Sequence, residues 1–374
     1  MDNDRGELQH LIRRFDPLFD RFYEWLANQY DAVSGGFYYA QSSREMEGSK
    51  PDIESTAQAL SIIERSGLLP DMPVKVRSGL VHFFQQKQDP ATGFFIDENP
   101  AMRKDEVMVA RAMGYCLRSL KQLGAAPLYP LPQEDKAPEF MESADSYIRH
   151  LASINLSNSW RGCDRLASTS VYFVQLPEAK RQEYAERALA WFADIQDPET
   201  GLWGDGSLYV RISGTFKLHT FYSRFRAPMP RIDEMYQSIL RGLRTEEAAD
   251  MCYIRNPIHL LSYIQKNIAQ EELMEIIGIT IRNMEELKRP DGGFSREKEH
   301  SPTAPNVAQV KKGEYYPDMP EPVHLGLGLR EGDMNAGTQA LLIRELCSRL
   351  AGVQENPLQY DAASFYQMLP RTEG

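Results

Sequence analysis

The chain has 374 residues, 42% hydrophobic and 25% charged, with a formal net charge of -11. This composition suits a globular protein with a large core, and its acidic balance repels phosphate backbones, so nucleic acid is not an expected partner. No stretch approaches the ~20 apolar residues of a membrane helix, so no membrane partner is expected either.

In chain order, two helix types alternate. An amphipathic outer type opens over residues 8–29, interrupted at Pro17, with Leu18, Phe22, Trp25 and Leu26 at three-and-four spacing. The turn Gln29–Phe37 follows, then an inner type over 52–66, richer in small residues and opened by Asp52-Ile53-Glu54. The cycle repeats as outer 71–88, turn Gln88–Phe94 and inner 105–123 from Asp105, then outer 139–154 and inner 164–176 from Asp164. Outer 178–195 leads to the turn Gln196–Trp203, a short strand-like piece Leu208–Ile212, and inner 214–225 opened by Ser213-Gly214. Outer 231–244 precedes inner 250–266 from Asp250, where Asn256-Pro257 competes as the helix start. Outer 270–288, the turn Arg289–Phe294, inner 333–350 from Asp333 and a tail over 351–374 complete the chain.

Each turn combines Asp or Pro with a Gly that supplies positive φ, followed by an aromatic residue directed inward: Phe37, Phe94, Trp203 and Phe294. Helices hydrophobic nearly all round are buried helices. Six outer–inner hairpins therefore predict an all-α chain, closed as an (α/α)6 barrel in a single domain over 1–374, with its core at about 8–350. Closure gives each inner helix a neighbour on both sides. The long loops 30–51, 89–104, 196–213 and 289–332 share one end with the inner-helix N-termini, and that end is expected to hold the working site.

The Gln-Asp-Pro-x-Thr-Gly-x-aromatic turns between two helix types resemble those of two groups of toroids. One is the terpenoid-cyclase and protein-prenyltransferase superfamily; the other is the (α/α)6 carbohydrate-active enzymes, including glycosidases and polysaccharide lyases. The resemblance spans about 8–350 and is architectural. A class II cyclase would need Asp-x-Asp-Asp, which is missing from the sequence. A prenyltransferase would need zinc on an Asp-x-Cys segment and a distant His. Asp250-Met251-Cys252 matches the first part, but the last inner helix opens with Asp333-Met334-Asn335, and His324 lies nine residues earlier. No cofactor is expected; zinc at Asp250 and Cys252 is the alternative.

Asp is a preferred helix cap, yet Asp52, Asp105, Asp164, Asp250 and Asp333 would bring carboxylates to one mouth, with Glu54 widening the supply. His219 is the best general base by type, with Tyr222 beside it. Lys217, Arg165 and Arg211 could neutralise an acidic substrate, and Trp160, Tyr39 and Tyr209 could stack on a sugar ring. These residues suit a hydroxyl-rich small molecule or oligosaccharide. The expected function is glycoside hydrolase or polysaccharide lyase, on an oligosaccharide that could be uronic. An isoprenoid-handling enzyme and a non-catalytic binding toroid are the rivals. The scattered Cys116, Cys163, Cys252 and Cys347 read as reduced thiols, and Met1–Gln9 lacks a signal-peptide core; a cytoplasmic location is expected.

Overall fold

The computed structural model describes residues 2–97, 106–132, 138–303, 323–353, 358 and 360–371. Fourteen α-helices account for most of these residues, and the only β pairing among them is four isolated bridges. They are α1 (Asp2–Arg13), α2 (Phe22–Asn28), α3 (Ile53–Arg65), α4 (Val74–Gln86), α5 (Glu106–Leu123), α6 (Ala144–Ser153) and α7 (Ser159–Ser168). After these come α8 (Glu178–Ile195), α9 (Leu208–Arg224), α10 (Ile232–Thr245), α11 (Met251–Ile264), α12 (Gln270–Leu287), α13 (Met334–Leu350) and α14 (Ala362–Met368). The chain is all-α, and the contrast of two helix types is plain between α3 and α4 but lost between α10 and α11, each of which buries seven of its fourteen residues. Ten of the thirteen residues of α3 are buried, whereas α4, of the same length, buries three.

Contacts divide the chain into two compact units, residues 1–133 with 281–374, and residues 134–280. In the first unit α3 lies beside both α13 and α5. The first and last inner helices are thus neighbours. The N-terminal and C-terminal segments are also tied by Arg344 to Asp16 at 2.9 Å, Lys288 Nζ to the Asp20 carbonyl at 3.0 Å and Arg21 to the Pro290 carbonyl at 3.0 Å. In the second unit α9 packs against both α7 and α11.

The turns recur as a hydrogen-bonded device that sets where each inner helix can begin. Asp31, Asp89 and Asp197 each donate a backbone N–H to a carbonyl five residues on and accept one from Gly35, Gly93 and Gly201. Those glycines have φ of +76°, +75° and +65°. At Gly201 a Cβ would also lie 2.5 Å from the Met235 nitrogen, so only glycine fits. Gln88 and Gln196 each hold the turn glycine's carbonyl through Nε2, and Lys288 does the same for Gly292. The plugs Phe37, Trp203 and Phe294 are fully buried, and at the second turn the buried residue is Phe95; Phe94 is only half-buried. The Phe37 and Trp203 amides then donate to Thr56 and Thr215 on the following inner helix, at 3.0 and 3.4 Å.

Two expected elements are corrected and one competing start is settled. The fourth-loop piece Leu208–Ile212 is the first turn of α9, because Ser207 caps it and Glu246 accepts the Leu208 and Tyr209 amides at 2.8 and 3.0 Å. The preceding inner helix starts at Ser159, capped by Asn158 on the Arg161 amide, so Asp164 is not a cap. Asp250 does open α11, which carries Pro257 inside it, so Asn256-Pro257 is not its start. The C-terminal tail contains α14, which packs on α2 with Phe365 fully buried.

Candidate functional site

Counting from the first residue of each inner helix, the sixth is polar without exception: Gln58, Arg111, Asp164, Ser213, Asn256 and Gln339. At 1.5 Å per residue this places one polar side chain about 8 Å along each helix. Gln58, Ser213, Asn256 and Gln339 are buried; Arg111 and Asp164 are half-buried. A helix packed only for structure would carry Leu, Val or Ala at such positions.

In the first unit these residues form two hydrogen-bonded sets, one joining α3 to α5 and one within α13. Glu54 accepts from Arg111 at 2.8 Å, from Gln58 at 3.0 Å and from the Tyr115 hydroxyl at 3.3 Å. On α13, Gln339 donates to Asn335 at 2.7 Å. Burial pushes the Tyr115 hydroxyl up to about 12, with Arg111 pulling it down.

The second unit carries a cation-rich set. Lys217 Nζ sits 3.0 Å from the Asp164 carboxylate and 5.3 Å from the centre of the Trp160 ring, and all three are half-buried. Asn256 donates to Ser213 at 2.9 Å. Arg255 lies 4.3 Å over Phe216, and the His219 and His259 rings are 5.2 Å apart. Burial lowers the His219 pKa, with Arg255 and Lys217 adding to the effect against the Phe216 carbonyl that its Nδ1 meets. At neutral pH the ring is an uncharged base.

Several expected site residues have other duties. Asp52, Asp250 and Asp333 each turn back onto their own helix, accepting the amides of Ser55, Cys252 and Ala336, and all are buried. Asp333 further accepts the Arg296 amide and the Ser301 hydroxyl at 2.7 and 2.9 Å. These bonds make the three carboxylates caps rather than groups open to substrate. Asp105 lies outside the described residues. Tyr39 is buried with its hydroxyl on the Pro302 carbonyl, and Tyr209 is buried against Tyr253, so neither offers a free ring. Tyr222 is buried beside Trp203 and Phe192. Arg211 is held by Asp197 and Thr200, both at 2.9 Å, and that bond draws the Asp197 carboxyl down to about 2. Arg165 is exposed on the last turn of α7, and His324 is exposed in its loop. Cys252 is half-buried, and no group of three or more metal-type ligands occurs among the described residues.

Clefts open at opposite ends of the hairpins in the two units. One of about 430 Å³ in the first unit is lined by residues of the long loops 30–51 and 89–104, as expected. One of about 500 Å³ in the second is lined by Ala227, Pro228 and Met229 of a short connection, contrary to expectation.

Asp52 has an electrostatic consequence for stability. Burial, reinforced by the neighbouring Asp97, pushes its carboxyl up to about 7, although the Ser55 bonds pull it down. The ordinary value is 3.8. Between those values the folded chain holds a proton that the unfolded chain has released, so this group's contribution falls as pH rises through the window. Asp52→Asn keeps a capping oxygen and removes the charge. It should raise stability at pH 7.5 by roughly 1–2 kcal/mol, with the gain gone near pH 4. Urea melts across that range check it, and an unchanged or lowered midpoint at pH 7.5 contradicts it.

No family model, curated protein or solved structure matches the chain.

Proposed function

We propose that this chain is a carbohydrate-active enzyme acting on an oligosaccharide, built on an (α/α)6 toroid. The polar sixth position of every inner helix carries the reading. Gln58, Asn256 and Gln339 each donate a hydrogen bond but keep a buried side-chain oxygen with none among the described residues, at a cost of about 1–3 kcal/mol apiece on protein scales, which a hydroxyl-rich ligand or water would relieve. An isoprenoid pocket would be apolar at the same positions. Closure of the ring is supported by the neighbouring of α3 and α13, which an open solenoid gives no reason for.

Of the two chemistries, elimination fits the second unit's residues better than hydrolysis. Hydrolysis uses two carboxyl groups, and the Lys217 set offers one, Asp164. Elimination needs a cation against the substrate carboxylate and a base for the neighbouring C–H. Lys217 supplies the cation, and half-buried His259 or His219 the base. The base takes the proton from the carbon next to the carboxylate. The electron pair forms a C=C bond, and the C–O bond to the leaving sugar breaks, its oxygen taking up a proton.

The test is incubation with uronic and neutral oligosaccharides, following conjugated product by ultraviolet absorbance and new reducing ends in parallel. Absorbance rising with reducing ends supports elimination; reducing ends alone support a hydrolase. Neither signal from any substrate leaves the non-catalytic binding toroid as the better account.

A further inference from the structure

Glu54 and Gln58 stand four residues apart on α3, both buried, and their hydrogen bonds leave particular atoms unmet. Arg111, Gln58 and the Tyr115 hydroxyl all converge on Glu54 Oε1, at 2.8, 3.0 and 3.3 Å. Glu54 Oε2 meets no donor among the described residues. The bond to a carboxylate also fixes which way the Gln58 amide faces. Its Nε2 must point at Glu54, since an amide oxygen there would oppose a carboxylate oxygen. Gln58 Oε1 is therefore turned away from Glu54, buried and without a donor among the described residues. On the adjacent α13, Gln339 repeats the pattern. Its Nε2 goes to Asn335, four residues before it, and its buried Oε1 is likewise unmet. All three unmet atoms are acceptors, and a carboxylate or phosphate would offer them only more acceptors. An ammonium would donate, but at Glu54 it would sit beside the like charge of the Arg111 guanidinium. Hydroxyls donate without either conflict. Solvent reaches the set at α5, where the Arg111 side chain is 23% exposed and Tyr115 is half-buried.

We propose that Glu54, Gln58 and Gln339 form a subsite for an uncharged sugar unit, which they hold by accepting from its hydroxyls. The need for donors follows from the bonding itself; that a sugar supplies them rests on the carbohydrate reading above. Calorimetric titration of the full chain tests it, with cellobiose, maltose and the glucosamine dimer as probes. Cellobiose or maltose should bind, and the cationic glucosamine dimer should bind more weakly than either one that does. Gln58→Met and Gln339→Met keep the length of the side chain and remove its acceptor. Each should weaken binding of the uncharged disaccharide about tenfold, the effect of one lost hydrogen bond. The two substitutions lie on different helices, so either keeps the test open should the other fail to fold. Neither cellobiose nor maltose bound, binding unchanged in the folded variants, or the glucosamine dimer bound more tightly overturns the subsite. Turnover of a uronic oligosaccharide alongside such a result leaves the enzymatic reading standing. Binding that the variants weaken, in a chain without turnover on any sugar, keeps the subsite and removes that reading.

Discussion

Gly214→Ala should destabilise the second unit by about 3 kcal/mol or more. Gly214 is where α9 meets the start of α7: a Cβ there would lie 2.0 Å from the Ser159 hydroxyl and 2.5 Å from the Ser159 carbonyl oxygen. Overpacking of this kind typically costs 1–3 kcal/mol. Here the displaced hydroxyl also donates to the Trp203 carbonyl at 2.5 Å, and losing that buried bond adds about 1 kcal/mol. Ser159 cannot simply withdraw, since its amide is bonded to the Asp205 carbonyl at 3.1 Å. Gly114 in α5 is the control: a Cβ there meets nothing within 4 Å. Gly114→Ala should stabilise by about 0.5–1 kcal/mol, since glycine in mid-helix is the poorer choice. Urea melts of both variants decide the matter, and a Gly214→Ala midpoint equal to wild type would show that α7 and α9 are not packed this closely.

The helix starts were legible where an Asp stood before an apolar run, as at Asp52, Asp250 and Asp333, because cap and periodicity agree there. They were misplaced at α7 and α9, whose caps Asn158 and Ser207 lie in loops already rich in Ser, Asn and Gly. In both cases the more conspicuous feature, Asp164 or Ser213-Gly214, falls six residues or so inside the helix. That displacement also hid the polar sixth position, which appears only when all starts are right. A signal was present: Asp52-x-Glu54-x-x-x-Gln58 and Asp333-x-Asn335-x-x-x-Gln339 share one spacing. The clamp at the turns was hidden differently. Lys288 replaces Gln88 and Gln196 through an ammonium rather than an amide, a likeness of hydrogen-bond geometry that residue type conceals. Tyr39 and Tyr209 were expected free because they sit next to turns, but burial depends on what folds over them.

Lys217→Met should lower turnover of an anionic oligosaccharide by roughly 100-fold or more while moving the melt little. The lysine and its partner Asp164 have side chains 19% and 20% exposed, so water can compensate whichever one is left. A partly exposed pair of this kind contributes on the order of 1 kcal/mol to stability. Methionine keeps the length of the stem against Trp160, so packing changes little. A substrate carboxylate meeting the ammonium is another matter, because negative charge spreads from it as the neighbouring proton leaves, and the cation counts most at that point. Lys217→Arg should restore part of the loss, since it keeps the charge but changes its shape. Asp164→Asn separates the roles further: if Asp164 only holds Lys217 in place, the variant should lose less turnover than Lys217→Met. Turnover unchanged in Lys217→Met, with a double-mutant cycle showing only a stability coupling between residues 164 and 217, would make the pair a bridge between α7 and α9 and remove it from the chemistry.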